Sequence, residues 1–208
     1  ARQLVTIHAR SADDQVLAQK FANDENFFQL RLDPYFGAAA KAHSDCAPML
    51  LQLIADTASN KRTLVHGDIS PKNLLAGPAG PVFLDAECAW YGEPAFDVAF
   101  CLCHLLAKCL WRPQSASDFL SCFDAFADAY LAGVTWEPRS ALESRIARLL
   151  AAIMLARVDG KSPLEYLDAR GKDIQRQFAR ARVRSPITQL SAIRNDWLST
   201  LHHSLSSP

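Results

Sequence analysis

The sequence predicts a mainly helical α+β protein in which a short β-hairpin interrupts a long series of helices. Apolar residues recur at helical spacing over most of the chain, whereas short runs of branched and aromatic residues occur between residues 63 and 85. Proline or glycine separates the later segments from one another. With 208 residues, 50% of them hydrophobic, the chain can bury one substantial core, so we expect a single domain over residues 1–208.

The first part of the chain is expected to be helical, with loops between the helices. Residues 11–30 carry apolar positions at helical spacing, and Ser11 and Asp13 are available as caps. This pattern indicates a helix, a loop and a short helix. A second helical stretch is predicted over residues 48–58, where the apolar side chains form a stripe.

Two short strands are predicted next, at residues 63–66 and 81–85. Both runs are rich in branched and aromatic residues and are bounded by turn formers. The glycines and prolines of residues 77–81 predict a turn between them. Joined through that turn, the two strands are expected to pair as a hairpin-like unit that presents the loop 66–73.

The remainder of the chain is predicted to be helical. Residues 94–111 are so apolar that a helix there must be buried on most sides, which makes it the expected central helix. Pro94 suits a first helical turn, and Pro113 lies just beyond the end. Further helices are predicted at residues 117–132, 138–158, 164–183 and 186–205.

Composition excludes several classes of partner. Lysine plus arginine equal aspartate plus glutamate at 22 each, so no overall field attracts a nucleic acid polymer or an anionic membrane. No segment reaches the roughly 18 apolar residues of a membrane span. The six cysteines show no C-x-x-C spacing, which favours buried reduced thiols and a cytoplasmic protein over disulfides or zinc.

Three polar residues near the predicted strands suit phosphoryl transfer. The reaction needs a carboxylate beside the acceptor hydroxyl and oxygen ligands that hold magnesium against the donor phosphates. Asp68 is the candidate base, and Asn73 and Asp85 are candidate metal ligands. Glu87 lies two residues after Asp85, so in a regular strand it would point the same way and add a carboxylate.

These residues form a pattern that resembles a known family. The motif H-G-D-x-x-x-x-N over residues 66–73, followed by D-x-E over residues 85–87, is similar to that of the aminoglycoside phosphotransferase and choline kinase type. The resemblance implies the larger, C-terminal lobe of a protein kinase-like fold, with ATP as donor and Mg²⁺ as cofactor. It implies that Asp68 is the catalytic base and that the metal is held by Asn73, Asp85 and Glu87. His66 and Asp97 are then structural supports of the catalytic loop.

Other residues keep two interpretations. Lys72 is either a catalytic cation that neutralises phosphate charge or a solvated loop residue. Arg157 and Lys161 either contact an anionic group or complement the end of a helix. The pair Trp90–Tyr91 either lines an acceptor pocket or belongs to the core.

The chain departs from the family in its first residues. No glycine-rich phosphate loop occurs, and no residue is assigned to the nucleotide. By the resemblance, residues 62–90 carry the catalytic loop and metal hairpin and residues 94–208 the helical substrate side. The smaller nucleotide-binding lobe is absent from this chain. We therefore expect little or no kinase activity from these 208 residues alone.

The acceptor is expected to be a small-molecule alcohol. In this architecture it lies against the helices after residue 115, where the acidic residues are scattered rather than grouped as a polycationic aminoglycoside would favour. A sugar or an amino alcohol is the preferred class, with aminoglycoside-like compounds retained. A non-catalytic kinase-like binding or scaffold module is the alternative function, and the oligomeric state is not predicted.

Overall fold

Short helices make up the first third of the chain in the computed structural model, which describes residues 1–78 and 80–205. Capping explains one of these short helices, because the carboxylate of Asp14 accepts hydrogen bonds from the N–H groups of Val16 at 2.9 Å and Leu17 at 3.0 Å. The order is α1 Arg2–Ser11, α2 Gln15–Lys20, α3 Asp24–Phe27, a π-helical segment Phe28–Gly37, α4 Ala38–Ala42 and α5 Ala47–Ser59.

The π-helical segment Phe28–Gly37 is a feature that the sequence pattern did not predict. Pro34 lies inside it and has no backbone N–H to donate, so a regular α-helical ladder is not available there. The segment buries Arg31 together with Leu32, Tyr35 and Phe36. A wide helical turn therefore carries an arginine into the interior, beside the loop that follows the first strand.

Within residues 1–78 and 80–205, four short strands form two separate antiparallel pairs. Strand β1, Thr63–Val65, pairs with β4, Trp90–Gly92. Strand β2, Leu74–Gly77, pairs with β3, Gly80–Phe83. The predicted pairing of residues 63–66 with 81–85 is therefore wrong, because the nearer segment after the catalytic loop closes the hairpin locally. Residue 79 of the predicted turn lies outside the described residues.

In the part of the chain that the structure describes, five long helices follow the strands and confirm the predicted helical second half. In α6, 13 of 17 residues are buried, which confirms a central helix enclosed on most sides. Helix α6 packs against both α7 and α8, and α9 packs on α8. The bounds are α6 Ala95–Trp111, α7 Ala116–Ala132, α8 Arg139–Asp159, α9 Ala169–Arg184 and α10 Leu190–Leu205. Residues 206–208 of the predicted domain lie outside the described residues.

The core settles two further expectations. Trp90 and Tyr91 are 1% and 4% exposed, so this aromatic pair belongs to the core. All six cysteines are free thiols, five of them buried and Cys122 exposed. Over the described ranges, none of the helices combines the length and the apolar character that crossing a bilayer requires. The helices and strands described above confirm the predicted mainly helical fold with a short β-hairpin.

Candidate active site

The loop 66–73 leaves β1 and turns back into β2 through a 3₁₀ turn at Pro71–Asn73. Gly67 makes the sharp bend possible, since its φ of +82° lies in the left-handed region that favours glycine. Space is also restricted there, because a Cβ at this position would lie 2.8 Å from Cβ of Cys88. The residue between His66 and Asp68 therefore has to be glycine for two independent reasons.

Asp97, at the start of α6, holds this loop through its backbone. One carboxylate oxygen accepts the N–H of His66 at 2.8 Å and the other accepts the N–H of Gly67 at 2.7 Å. The side chain is fully buried, where unpaired charge is costly and hydrogen bonds to an ion are strong. The central helix thus fixes the start of the loop.

A buried chain of polar groups supports Asp97 from the other side. Nε2 of His8 lies 3.3 Å from the Asp97 carboxylate, and Nδ1 of His8 lies 2.7 Å from the Tyr130 hydroxyl. Burial, reinforced by the charge of Asp97, raises the pKa of Tyr130 well above its usual range. Because the Asp97 carboxylate can only accept, Nε2 of His8 carries the hydrogen on that side, and the protonated Tyr130 hydroxyl can then donate to Nδ1 of the neutral ring.

Within the loop, side chains fix the backbone on either side of Asp68. Nδ1 of His66 accepts the N–H of Asp68 at 3.2 Å. The side-chain Nδ2 of Asn73 donates to the main-chain carbonyl oxygen of Asp68 at 3.1 Å. The main-chain carbonyl oxygen of Asn73 accepts the N–H of Leu84 at 2.9 Å. His66 and Asn73 therefore both position Asp68, and Asn73 also ties the loop to the end of β3.

Arg31 is the residue of the site that sequence reasoning missed. Its guanidinium lies 3.2 Å from the Asp68 carboxylate, and its Nε donates to the carbonyl oxygen of Gly67 at 2.6 Å. The guanidinium also stands over the rings of Tyr35 and Phe100, at 5.9 and 6.0 Å. A signal was present, since Arg31 is the one cation in the apolar run of residues 27–36.

Asp85 and Glu87 do not lie on a strand. Strand β3 ends at Phe83, and Glu87 lies in a turn. The main-chain carbonyl oxygen of Glu87 accepts a hydrogen bond from the side-chain amide of Asn26 at 3.0 Å. The expectation that alternation along a strand would align the two carboxylates is therefore wrong. Asp85 instead has a φ of +65°, an uncommon conformation for a non-glycine residue, and both side chains are exposed.

Comparison with known proteins identifies the family. The model of the phosphotransferase enzyme family, APH, matches residues 1–140, more than half of the chain. The chain belongs to the APH phosphotransferase family. Its matched region includes every residue proposed for the site, from Arg31 to Asp97. Among curated proteins, none matches this APH protein.

The structure brings most of the predicted site residues of this APH protein together. His66, Asp68 and Asn73 are joined by hydrogen bonds within one loop, and Asp97 contacts the same loop from α6. Lys72 reaches the base from the solvent side, with its Nζ 3.8 Å from the Asp68 carboxylate and a side chain that is 68% exposed. Arg31 and Lys72 therefore place two positive charges beside Asp68.

Asn73 and Asp85 offer oxygen atoms of the kind that magnesium binds. The Asn73 amide nitrogen is engaged with Asp68, which orients its oxygen as the free acceptor, and Asp85 forms no hydrogen bond or ion pair in the described part of the chain. No three His, Cys, Asp or Glu side chains within residues 1–78 and 80–205 form a metal cluster by themselves. Mg²⁺ commonly takes one or two protein ligands and completes its shell with phosphate oxygens and water.

Proposed function

We propose that this APH phosphotransferase transfers the γ-phosphoryl group of ATP to a hydroxyl of a small molecule, with Asp68 as the base. The single observation that carries the proposal is the position of Asp68, whose backbone is held on both sides and whose carboxylate is held by Arg31. A fixed carboxylate beside the acceptor is the main demand that this chemistry makes on the protein.

The proposed reaction is a single displacement at the γ-phosphorus. The acceptor hydroxyl gives its proton to Asp68 and forms the new bond to the γ-phosphorus, while the bond to the β–γ bridging oxygen breaks and ADP leaves with the electron pair. Lys72 would stabilise the negative charge on the phosphoryl oxygens, because its Nζ lies 3.8 Å from the base and its side chain is exposed. Bound Mg²⁺ would neutralise charge on the donor phosphates.

In the proposed arrangement Asn73 and Asp85 hold the metal, and Glu87 is an additional ligand. The amide oxygen of Asn73 and the carboxylate of Asp85 are hard donors on either side of the β2–β3 hairpin, whose strands pair Leu74 with Phe83. Glu87 follows in a turn near Asp85, so its contribution depends on the local path rather than on strand geometry. We expect Glu87→Gln to weaken metal dependence less than Asp85→Asn.

The proposed division of labour follows the fold. Residues 62–90 supply the base and the metal ligands, and the helices from residue 94 onward form the acceptor side. The proposed site of action is the cytoplasm, because six free cysteines suit a reducing compartment.

Turnover in the full-length protein tests the function. Phosphate transfer from γ-labelled ATP to a panel of small alcohols is measured with and without Mg²⁺, in the wild type and in Asp68→Asn. We expect Mg²⁺-dependent transfer that falls by about 1,000-fold in Asp68→Asn, since the combined loss of a positioned base and its charge is of that order. Full activity in Asp68→Asn would contradict the assigned base. Nucleotide binding without any transfer would favour a kinase-like binding module instead.

A further inference from the structure

A cavity of about 370 Å³ opens directly beside the catalytic loop. Its lining includes Lys72 from the loop, His104 and Lys108 from α6, Arg157 from α8, and Glu165 and Tyr166 from the segment after α8. The Nζ of Lys72 also lies 3.8 Å from the Asp68 carboxylate, so Lys72 connects the cavity lining with the proposed base. A hydroxyl group at the Lys72 end of the cavity would therefore lie near Asp68.

The lining of this cavity is strongly cationic in a chain whose formal net charge is +0. It contains three basic side chains, Lys72, Lys108 and Arg157, and one carboxylate, Glu165, which is exposed. Elsewhere arginines meet acids directly, as Arg176 meets Asp159 at 2.7 Å. An unbalanced set of cations around a concave site points to an anionic occupant.

Aromatic rings, rather than acids, hold two of these cations. Lys108 stands 4.7 Å from the ring centre of Trp111 and 5.2 Å from that of Tyr166. Arg157 stands 5.7 Å from the ring centre of Tyr35, and its Nη1 also donates to the carbonyl oxygen and to the hydroxyl oxygen of Ser162. Neither Lys108 nor Arg157 makes an ion pair with a carboxylate of residues 1–78 or 80–205. Their positions are therefore fixed while their charge stays available to a ligand.

His104 adds a neutral polar group to the same wall. The residue is 6% exposed, its Nδ1 lies 3.3 Å from the Tyr166 hydroxyl, and its Nε2 has no hydrogen-bond partner in the described structure. Burial lowers the pKa of His104 to about 3, and the charges of Arg157, Lys108 and Lys72 act in the same direction. A buried polar atom without a partner, in the wall of a cavity, is a position where a ligand group is expected.

We propose that this cavity binds the acceptor and that the acceptor is a small alcohol bearing a carboxylate or phosphate group, bound by Lys108 and Arg157. The inference rests on the proposed function, because it takes the hydroxyl beside Asp68 as the one that is phosphorylated. It differs from the expectation of a sugar or amino alcohol, since a cationic amino group would be repelled by three basic side chains. Both candidate groups, carboxylate and phosphate, are anions that Lys108 and Arg157 can bind.

Binding to the protein without nucleotide tests the proposal independently of turnover. The probes share one three-carbon skeleton and differ in charge: glycerol, 2-amino-1,3-propanediol, glycerate and glycerol 3-phosphate. Affinity is measured by calorimetry at constant ionic strength, and the melting temperature is followed in parallel. We expect glycerate or glycerol 3-phosphate to bind at least about tenfold more tightly than glycerol, with the amino alcohol the weakest. The tighter of the two anions identifies the anionic group.

Variants locate the binding. Lys108→Gln should weaken the anionic probe about tenfold, and Lys108→Arg, which keeps the charge, should restore most of the affinity. Lys20→Gln is the matched control, because Lys20 also stands over a ring, 6.0 Å from that of Phe21, and does not line the cavity. Equal affinities for anionic and uncharged probes, or unchanged binding in Lys108→Gln, would overturn the proposal.

A competition experiment separates the acceptor from the donor. If the cavity instead holds the phosphates of the nucleotide, Mg²⁺-ATP should displace the anionic probe from the full-length protein, and the acceptor proposal fails. If the probe and Mg²⁺-ATP bind together, the proposal stands. Loss of turnover in Asp68→Asn with probe binding retained would keep the two proposals distinct, because Lys108 and Arg157, which bind the anion, make no ion pair with that carboxylate.

Discussion

The guanidinium of Arg31 lies 3.2 Å from the carboxylate of Asp68, and the two side chains are only 10% and 9% exposed. The same arginine also binds the carbonyl oxygen of Gly67 at 2.6 Å. One side chain therefore fixes both the backbone and the carboxylate of the catalytic loop. This pair links the π-helical segment to the proposed base.

We predict that Arg31→Ala will lower both activity and stability. It leaves Asp68 as a nearly buried charge without its main partner, which should cost about 3 kcal/mol, and a misplaced base should lower kcat about 100-fold. Urea unfolding and steady-state kinetics measure the two effects. Arg31→Lys should be intermediate, because it keeps the charge but loses the hydrogen bond from Nε to the carbonyl oxygen of Gly67.

Arg148 provides the control for that prediction. It pairs with Asp56 at 3.2 Å, but the two side chains are 37% and 41% exposed. An exposed pair of this kind contributes less than about 1 kcal/mol, so Arg148→Ala should have a small effect on unfolding and none on kcat. Equal losses in Arg31→Ala and Arg148→Ala would argue against a special role for Arg31.

We predict that Asp97→Asn will loosen the catalytic loop. Asparagine offers one acceptor oxygen where Asp97 offers two, so the N–H of His66 or of Gly67 loses its partner and faces an amide N–H₂ instead. The expected cost is about 2–3 kcal/mol in urea unfolding. Hydrogen exchange at His66 and Gly67 should accelerate more than exchange in α8. Asp128→Asn, at an exposed position of α7, should change neither measurement.

The sequence could predict Asp97 as a support but could not predict its buried partners. The role followed from a motif, whereas His8 contacts Asp97 across 89 residues of sequence and Tyr130 contacts His8 across 122. Local patterns carry no information at such separations.

We predict that Asp85→Gly will be more stable than Asp85→Ala, although both lose metal-dependent nucleotide binding. The φ of +65° at Asp85 suits glycine, so the glycine variant should exceed the alanine variant by about 1 kcal/mol. The shift in melting temperature produced by Mg²⁺ with ATP should disappear in both. Asp13, with a φ of 55°, is the control, and Asp13→Gly should retain the full shift. Retention of the shift in Asp85→Ala would remove Asp85 from the metal site.

We predict that His104→Gln will reduce the sensitivity of stability to acid. In the unfolded chain His104 takes up a proton near pH 6.5, whereas its folded pKa is lowered to about 3 by burial and by neighbouring cations. The unfolded state therefore binds more protons between these values, so stability falls as pH decreases through that window. Between pH 7.5 and 5.5 the wild type should lose about 1.4 kcal/mol more than the variant in urea unfolding. Parallel pH profiles would contradict the neutral, buried state of His104.

The extent of sequence-based prediction differs between helices and strands for a physical reason. The uniformly apolar residues 94–111 predicted a buried helix, and the observed α6, Ala95–Trp111, matches that range closely. The strand pairing was wrong because strands of three or four residues have too little pattern to specify a partner. In consequence β1 was assigned to the hairpin when it pairs with β4.

The cavity beside the loop 66–73 shows a comparable limit. His104 and Lys108 are four residues apart in the apolar run, and that spacing places polar side chains on one face of a helix. The sequence therefore carried a signal for a polar face on α6. Arg157 and Tyr166 join that face only through folding, since they come from α8 and the segment beyond it.

Within the loop 66–73, Asp97 bonds to main-chain N–H groups and not to side chains, and this suggests a use in protein engineering. Because the carboxylate contacts the backbone of the loop, and because Pro71 and Lys72 are not buried, positions 71 and 72 could be exchanged while the chain keeps its course. Libraries randomised at those positions should remain folded as long as Gly67 and Asp97 are kept. New acceptor preferences could therefore be sought at these loop positions, while Asp97 holds the N–H groups of His66 and Gly67 in place.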